Sequence, residues 1–258
     1  MITSTSNPQI KRLLQLQNKS KARNEEKVFL VEGIRMYLET PEKDVEKVYV
    51  SETLYNRKKL ELKLDRFAYE ILSDNVFKHV SDTKTPQGIL CVVKQKEYQL
   101  EDLMQVENPH FIVLDNLQDP GNLGTILRTA EAAGVTAVIM SRDTVDIYNP
   151  KVIRSTMGSI YRMPFLYVEC LPDLLQEFKK KGVISYAAHL QGKQNYDQED
   201  YRGGTAILIG NEGNGLREEV AENADILVQI PMCGEVESLN AAIAASVMMF
   251  EVSRQRRK

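Results

Sequence analysis

Three short polar stretches carry residue types that can hold a polar ligand and stabilise moving charge: DNLQDPGNLGTILR at 115–128, GNEGNGL at 210–216 and PMCGEVESLN at 231–240. In the first, Asn122 can cap a helix or bond across loops, and Arg128 lies one turn into a helix expected over 125–133. From there its planar guanidinium can grip a phosphate through two parallel hydrogen bonds. In the second, Glu212 stands between Asn211 and Gly213, in a turn whose glycines let a ligand approach the backbone closely. In the third, Ser238 and Asn240 open a helix rich in small residues. Each residue also has an ordinary structural use: Asn122, Ser238 and Asn240 as helix caps, Arg128 in a surface ion pair, Glu212 as a solvated carboxylate. Gly121 and Gly124 precede a helix, but the stretch has neither G-x-G-x-x-G nor G-K-[ST], which disfavours a nicotinamide or nucleoside triphosphate site.

The elements that must position these stretches are short apolar runs separated by helical segments. Strands are predicted over 111–114, 137–140, 165–168, 183–188, 206–209 and 226–230, and helices over 125–133, 149–157 and 174–181. This alternation predicts a mostly parallel sheet covered on both faces. In such a sheet the polar turns after 114, 209 and 230 fall on the carboxyl edge, where open α/β sheets hold ligands. The region before it has the pattern of a smaller α/β sandwich. Asn7 and Pro8 start a helix with Ile10, Leu13, Leu14 and Leu16 on its apolar face, followed by strands over 28–31, 45–50, 66–72 and 88–93 and helices over 33–40 and 74–80. The polar turn 83–88, just ahead of the last strand, is a plain turn or a place where RNA phosphates can be touched. The division expected is therefore 1–94 and 110–258, joined by a charged linker at 95–109.

Composition is compatible with packed cores: 258 residues, 43% hydrophobic, net charge −3. No apolar run approaches the roughly 20 residues that a membrane helix needs, and the N-terminus lacks the apolar core of a signal peptide, so a cytoplasmic protein without a membrane partner is expected. Cys91, Cys170 and Cys233 are odd in number and scattered. With His79, His110 and His189 they form neither a disulfide framework nor a metal-ligand spacing, so no metal is expected. Charge is unevenly distributed: residues 1–95 hold 17 Lys and Arg against 13 Asp and Glu, while 96–258 hold 16 against 23. The basic arm contributing to that excess includes Lys11, Arg12, Lys19, Lys21 and Arg23, of which Lys11, Arg12, Lys21 and Arg23 are candidate RNA contacts, alongside Arg128 in the second domain.

Taken together, Asn122-Leu-Gly with Arg128 four residues beyond the Gly, I-G-N-E-G-x-G-L at 209–216, and I-P-M-x-G-x-V-x-S-L-N-A-A at 230–242 resemble the three signature motifs of the SpoU family of RNA 2′-O-ribose methyltransferases. F-L-V-E-G at 29–33 and T-P-Q-G-I at 85–89 are similar to the ribosomal-protein-like RNA-binding domain that many members carry. The resemblance implies an α/β domain whose C-terminal segment threads a loop to form a deep trefoil knot. It implies S-adenosyl-L-methionine as cofactor, a homodimer, and Asn122, Arg128, Glu212, Ser238 and Asn240 at catalytic positions. The implied cofactor cradle is Ala188, His189, Leu190, Gly210, Ile230, Met232, Ser238 and Leu239. By the same resemblance Glu212 is expected to orient Arg128, and residues near Arg128 to act across the dimer. The helix after Asn240 begins Ala241-Ala242 where relatives often have Val and Ser, so small residues are kept. The implied reaction is 2′-O-ribose methylation of RNA, since only RNA offers that hydroxyl. Ribosomal RNA is the implied substrate, with a guanosine of the large subunit the best guess by analogy. A transfer RNA methyltransferase and a non-catalytic RNA-binding or ribosome-assembly protein are the alternatives.

Overall fold

The computed structural model describes residues 1–257. The chain begins with α1 (Pro8–Asn18), α2 (Ser20–Glu26), β1 (Val28–Glu32), α3 (Ile34–Glu39), β2 (Val45–Ser51), α4 (Glu52–Leu62), β3 (Tyr69–Leu72), α5 (Asp74–Val80) and β4 (Ile89–Lys94). It continues with α6 (Leu100–Leu103), β5 (His110–Leu114), α7 (Pro120–Ala133), β6 (Ala137–Ser141), α8 (Pro150–Thr156), β7 (Phe165–Val168), α9 (Leu171–Lys180), β8 (Ile184–Ala188), β9 (Gln194–Asn195), β10 (Thr205–Ile209), α10 (Glu218–Asn223), β11 (Ile226–Gln229) and α11 (Ala241–Arg256). These elements form two compact units. Met1–Lys96 and Asp146–Tyr161 make the first, and Glu97–Val145 with the chain from Arg162 onward makes the second. The single boundary read from the sequence thus misses one feature: α8, which lies between two strands of the second unit, packs on β1 of the first.

In the first unit four strands are ordered β1-β4-β2-β3, antiparallel except for the β2–β3 pair. The α1 helix starts where expected because Asn7 accepts from the Gln9 amide at 2.9 Å and Pro8 needs no amide partner there. Its Ile10, Leu13 and Leu16 are fully buried against β1 and α5. The α4 helix was not anticipated. It buries only Leu54 and Leu62 and kinks at Lys58, so it has no regular apolar stripe to read. The strand expected from 66 begins at Tyr69, because Leu64–Arg66 is a 3-10 turn.

Two cations of the basic arm are committed within this unit. Arg23 is 4% exposed, and its guanidinium bonds Asp146 (Nε–Oδ2 3.1 Å) and the carbonyls of Leu16 and Gln17 (2.6 and 3.1 Å). The RNA contact expected of Arg23 is therefore corrected to a structural role: a buried, fully bonded guanidinium is not available to a phosphate. Arg12 bridges Glu26 and Glu46 at 2.7 and 2.8 Å, which neutralises it locally. Lys11 and Lys21 are exposed, Lys21 at 3.8 Å from Glu25.

In the second unit seven strands are ordered β7-β6-β5-β10-β8-β11-β9, and every pairing is parallel, so the expected mostly parallel sheet is parallel throughout the described residues. Its central strands β5, β6 and β10 are buried at every position, which explains their unbroken apolar runs. Phe111, Val113, Ala137, Ile139, Ala206 and Leu208 share one core with α9 and α10. The opposite side receives α7 and α11, which pack on each other, with α11 also against β10 and β5. The strand order reverses between β5 and β10, and the loops leaving their carboxyl ends open outward there. No helix of the described residues is long and apolar enough to cross a membrane.

Replacing Arg23 by Met should strand the Asp146 carboxylate and two carbonyls. The expected loss is about 2–4 kcal/mol of unfolding free energy in urea titration, against under about 0.5 kcal/mol for Lys21→Met on the exposed face.

Candidate active site

Asp119, the residue after the loop leaving β5, caps α7: its Oδ1 accepts from the Asn122 amide at 2.7 Å, and Pro120 occupies the first helical position. The helix therefore starts at Pro120, five residues before the expected Thr125. Asn122 belongs to its first turn and Arg128 lies two turns in. A Pro-Gly pair reads as a turn in sequence, yet here it is a helix start, because a proline costs nothing at that position.

From that first turn the Asn122 side chain reaches two other loops. Its Nδ2 donates to Glu212 Oε1 at 3.0 Å, and its Oδ1 accepts from Asn240 Nδ2 at 3.0 Å. Glu212 also accepts from the main-chain amides of Gln118 (Oε2, 3.1 Å) and Asp119 (Oε1, 2.9 Å). Asn240 caps α11, its Oδ1 accepting from Ala242 and Ile243 at 2.9 and 3.3 Å. Three residues from loops 90 and 118 positions apart thus form one hydrogen-bonded chain, Glu212–Asn122–Asn240. Partial burial pushes the Glu212 pKa up. The donors on its carboxylate, Asn122 first and then the Gln118 and Asp119 amides, outweigh that and leave it below the ordinary carboxylate value.

The remaining expected residues are placed as follows. Arg128 is exposed on α7 and its side chain has no hydrogen bond or ion pair among the described residues; Glu212, expected to orient it, is engaged with Asn122 and the two amides instead. Ser238 is exposed on the loop before α11. Ala188 ends β8 and His189 follows it, its amide donating to Val228 O at 2.9 Å and its Nδ1 accepting from the Gln191 amide at 3.1 Å. Ile230, Met232 and Leu239 are half-buried and Leu190 is exposed. At Gly210 an added Cβ would fall on the main chain of Gly215 and Leu216, where Asn211 and Gly215 exchange two hydrogen bonds at 2.9 Å and close the loop. These strand ends present half-buried apolar side chains beside main-chain groups. Leu190, Gly210, Met232 and Leu239 make no main-chain hydrogen bond outside regular elements among the described residues. That combination fits a ligand with a flat apolar ring and several polar ends.

Several supporting residues were not foreseen. Asp115, 1% exposed, accepts from the Arg217 amide and Nε, both at 2.8 Å, and fixes the end of the second loop against β5. Asn211 donates to Asn116 O at 2.8 Å while its Oδ1 accepts from the Gly213 and Asn214 amides. The available signal was the position of Asp115, a carboxylate directly after an unbroken apolar run.

Comparison with known proteins gives this arrangement its family. Residues 109–250 match the model of the SpoU rRNA methylase family, and residues 7–91 match that of an MRM3-like substrate binding domain. The chain belongs to the SpoU rRNA methylase family. It is 33% identical over 253 residues, 97% of this chain and 98% of the relative, to a 23S rRNA (guanosine(2553)-2′-O)-methyltransferase, RlmP, of Bacillus subtilis. It is 41% identical over 163 residues, 62% of this chain and 66% of the relative, to a 23S rRNA (guanosine-2′-O-)-methyltransferase, RlmB, of Xylella fastidiosa. Among solved structures, an AdoMet-bound rRNA methyltransferase from Sinorhizobium meliloti superposes with a TM-score of 0.84 at 30% identity, covering 98% of this chain and 97% of the other. The SpoU methyltransferase AviRb from Streptomyces viridochromogenes gives 0.86 at 26% identity, covering 97% and 98%. In this SpoU family member the Glu212–Asn122–Asn240 chain fixes the first turn of α7, the helix that also carries Arg128.

Because the Glu212 pKa is lowered on folding, its contribution is fully present above the unfolded carboxylate value of about 4.3 and is lost as pH falls through the lower folded value. The Asn122 side-chain amide resonance should therefore stay constant from about pH 6 to 9 and shift below about pH 4.5. In Glu212→Gln that acid transition should disappear.

Proposed function

We propose that this chain transfers a methyl group from S-adenosyl-L-methionine to a ribose 2′-hydroxyl of ribosomal RNA. The observation that carries the reading is the convergence of Asn122, Glu212 and Asn240 from three distant loops on one sheet edge, with Arg128 exposed further along the helix that Asn122 opens. Family membership and the activities named for the relatives agree with it. Both relatives are named for a guanosine of 23S rRNA, and a large-subunit guanosine is the substrate we infer here.

When bound, the cofactor supplies a methyl group activated by a sulfonium. The chain's part is to hold both reactants in line and to stabilise the charge that develops on the attacking oxygen. Main-chain groups of Leu190, Gly210 and Met232 would hold the polar ends of the cofactor, with Ala188 and His189 forming the strand end beside them, while Ile230 and Leu239 would flank its ring. Arg128 would bind the RNA phosphate and favour the developing alkoxide through its charge and its hydrogen-bond donors, the hydroxyl proton passing to solvent water. Glu212 and Asn122 fix the first turn of α7, and Ser238 and Asn240 fix the loop before α11.

Two further features complete the reading. We infer the trefoil knot from the family resemblance, and the close crossing at Gly192 supports it: an added Cβ there would lie 2.5 Å from the Val228 carbonyl carbon. A homodimer is supported by α11, which exposes Ile243 and Phe250 with half-buried Val247 between them, an apolar stripe at helical spacing. Pairing along that stripe would give Arg128 the setting in which it acts. We place the protein in the cytoplasm, where its RNA substrate is made.

Single-turnover methyl transfer to 23S rRNA tests the assignment. Arg128→Ala should slow the step by roughly 100-fold or more, and Arg128→Lys by about 10-fold, because an ammonium keeps the charge but not the two-pronged geometry. Wild-type rates in both would remove Arg128 from the mechanism.

A further inference from the structure

The first unit matches a substrate-binding domain, yet both arginines of the basic arm that the sequence offers for RNA are committed: Arg23 is buried and Arg12 bridges two glutamates, which leaves the arm only its exposed lysines. A different surface has the opposite character. The loop from Ser81 to Gly88 joins α5 to β4, and the chain fastens it from three sides. The Glu32 carboxylate, at the end of β1, accepts from Ser81 Oγ at 2.5 Å, the Asp82 amide at 3.1 Å and Thr83 Oγ1 at 2.8 Å. The Asp82 carboxylate is ion-paired with Arg154 of α8. At the far end Gln87 Oε1 accepts from the Ile34 amide at 2.8 Å, and the Gly88 carbonyl accepts from the Ser51 amide at 2.8 Å. Gly88 has φ +87°, and a Cβ there would lie 2.5 Å from Ser51 Oγ, so this end admits no other residue without rearrangement. Pro86 restricts Thr85 to extended backbone.

What these fastenings leave free is the tip. Lys84 and Thr85 are exposed and make no hydrogen bond or ion pair among the described residues. A solvated loop needs no such fixing for stability. A loop that must meet a partner gains from it, because the ordering cost is already met before contact. The tip offers an ammonium and a hydroxyl that can donate, and the chemistry they match is a phosphodiester backbone.

We propose that the Ser81–Gly88 loop is a pre-ordered RNA-backbone grip, with Lys84 and Thr85 as its contacts and Glu32 as its positioning residue. The inference rests on the reading of the chain as an RNA methyltransferase. It goes further in assigning the contact to this loop, and not to the N-terminal arm.

The test uses the full-length protein and a 23S rRNA transcript, measuring equilibrium binding over a salt series and methyl transfer at saturating cofactor. Lys84→Ala should raise Kd and KM for RNA roughly 3–10-fold with kcat unchanged. It should also flatten the slope of log affinity against log salt by about 0.7–0.9, the loss of one phosphate contact, and Lys84→Arg should restore both. Glu32→Gln should raise KM with kcat unchanged and speed hydrogen exchange at the Asp82–Thr85 amides, a change that Lys84→Ala should not produce. Because Lys84 lies in solvent, its Ala variant should melt with the wild type, so a folding defect in Glu32→Gln would not protect the idea. Wild-type affinity and salt slope in Lys84→Ala overturn the proposal. A wild-type protein that binds the transcript but transfers no methyl overturns the functional reading, while the binding arm still decides the role of the loop.

Discussion

The site depends on one carboxylate. Glu212 accepts from two main-chain amides of the loop after β5 and from the Asn122 side chain, and through Asn122 it is tied to the residue that caps α11. Hydrogen bonds to an ionised acceptor are about twice as strong as neutral ones, and each partner here is also a structural terminus: the entry to α7, the second loop and the entry to α11. An apolar side chain at 212 would leave the Gln118 and Asp119 amides without this acceptor. The carboxylate thus does electrostatically what a short covalent link would do sterically, holding three separately encoded loops at a fixed spacing.

Such spacing also requires that backbones pass close to one another, and the small residues follow from that. Gly210 lies on the main chain of Gly215 and Leu216, and Gly192 lies against Val228 and Gln229. Ala241, Ala242 and Ala245 are buried at the start of α11, where that helix meets α7. Larger side chains would separate these elements by more than a hydrogen-bond length and break the Asn122–Asn240 link. Close packing of the backbone and the polar chain above it are therefore two faces of one constraint.

How far the sequence foretold this follows from what each signal encodes. The central strands β5, β6 and β10 were legible because strands buried on both faces must be apolar throughout. Asn122, Glu212 and Asn240 were legible as candidates because their motifs are dense in polar and small residues, but not as a bonded set, since pairing across about a hundred residues leaves no local period. The start of α7 was misplaced because Pro120-Gly121 has the same composition in a turn and in a capped first turn. The misreading of Arg23 has a related cause. A basic residue on an amphipathic arm looks solvated until its acceptor is known, and Asp146 lies 123 positions away. The same distance hid the membership of α8 in the first unit.

The contrast between the arginines then has physical content. Arg23, Arg217 and Arg154 are each bound to a carboxylate, and each fixes one segment of chain to another. Arg128 differs in standing on a rigid helix, exposed, with no anion supplied by the described residues. The backbone that carries it is already ordered, because α7 is capped by Asp119, tied by Glu212 and packed on α11. An unpaired guanidinium on so firmly held a support is complementary to an anion from outside the chain, and its affinity is not spent on an internal partner.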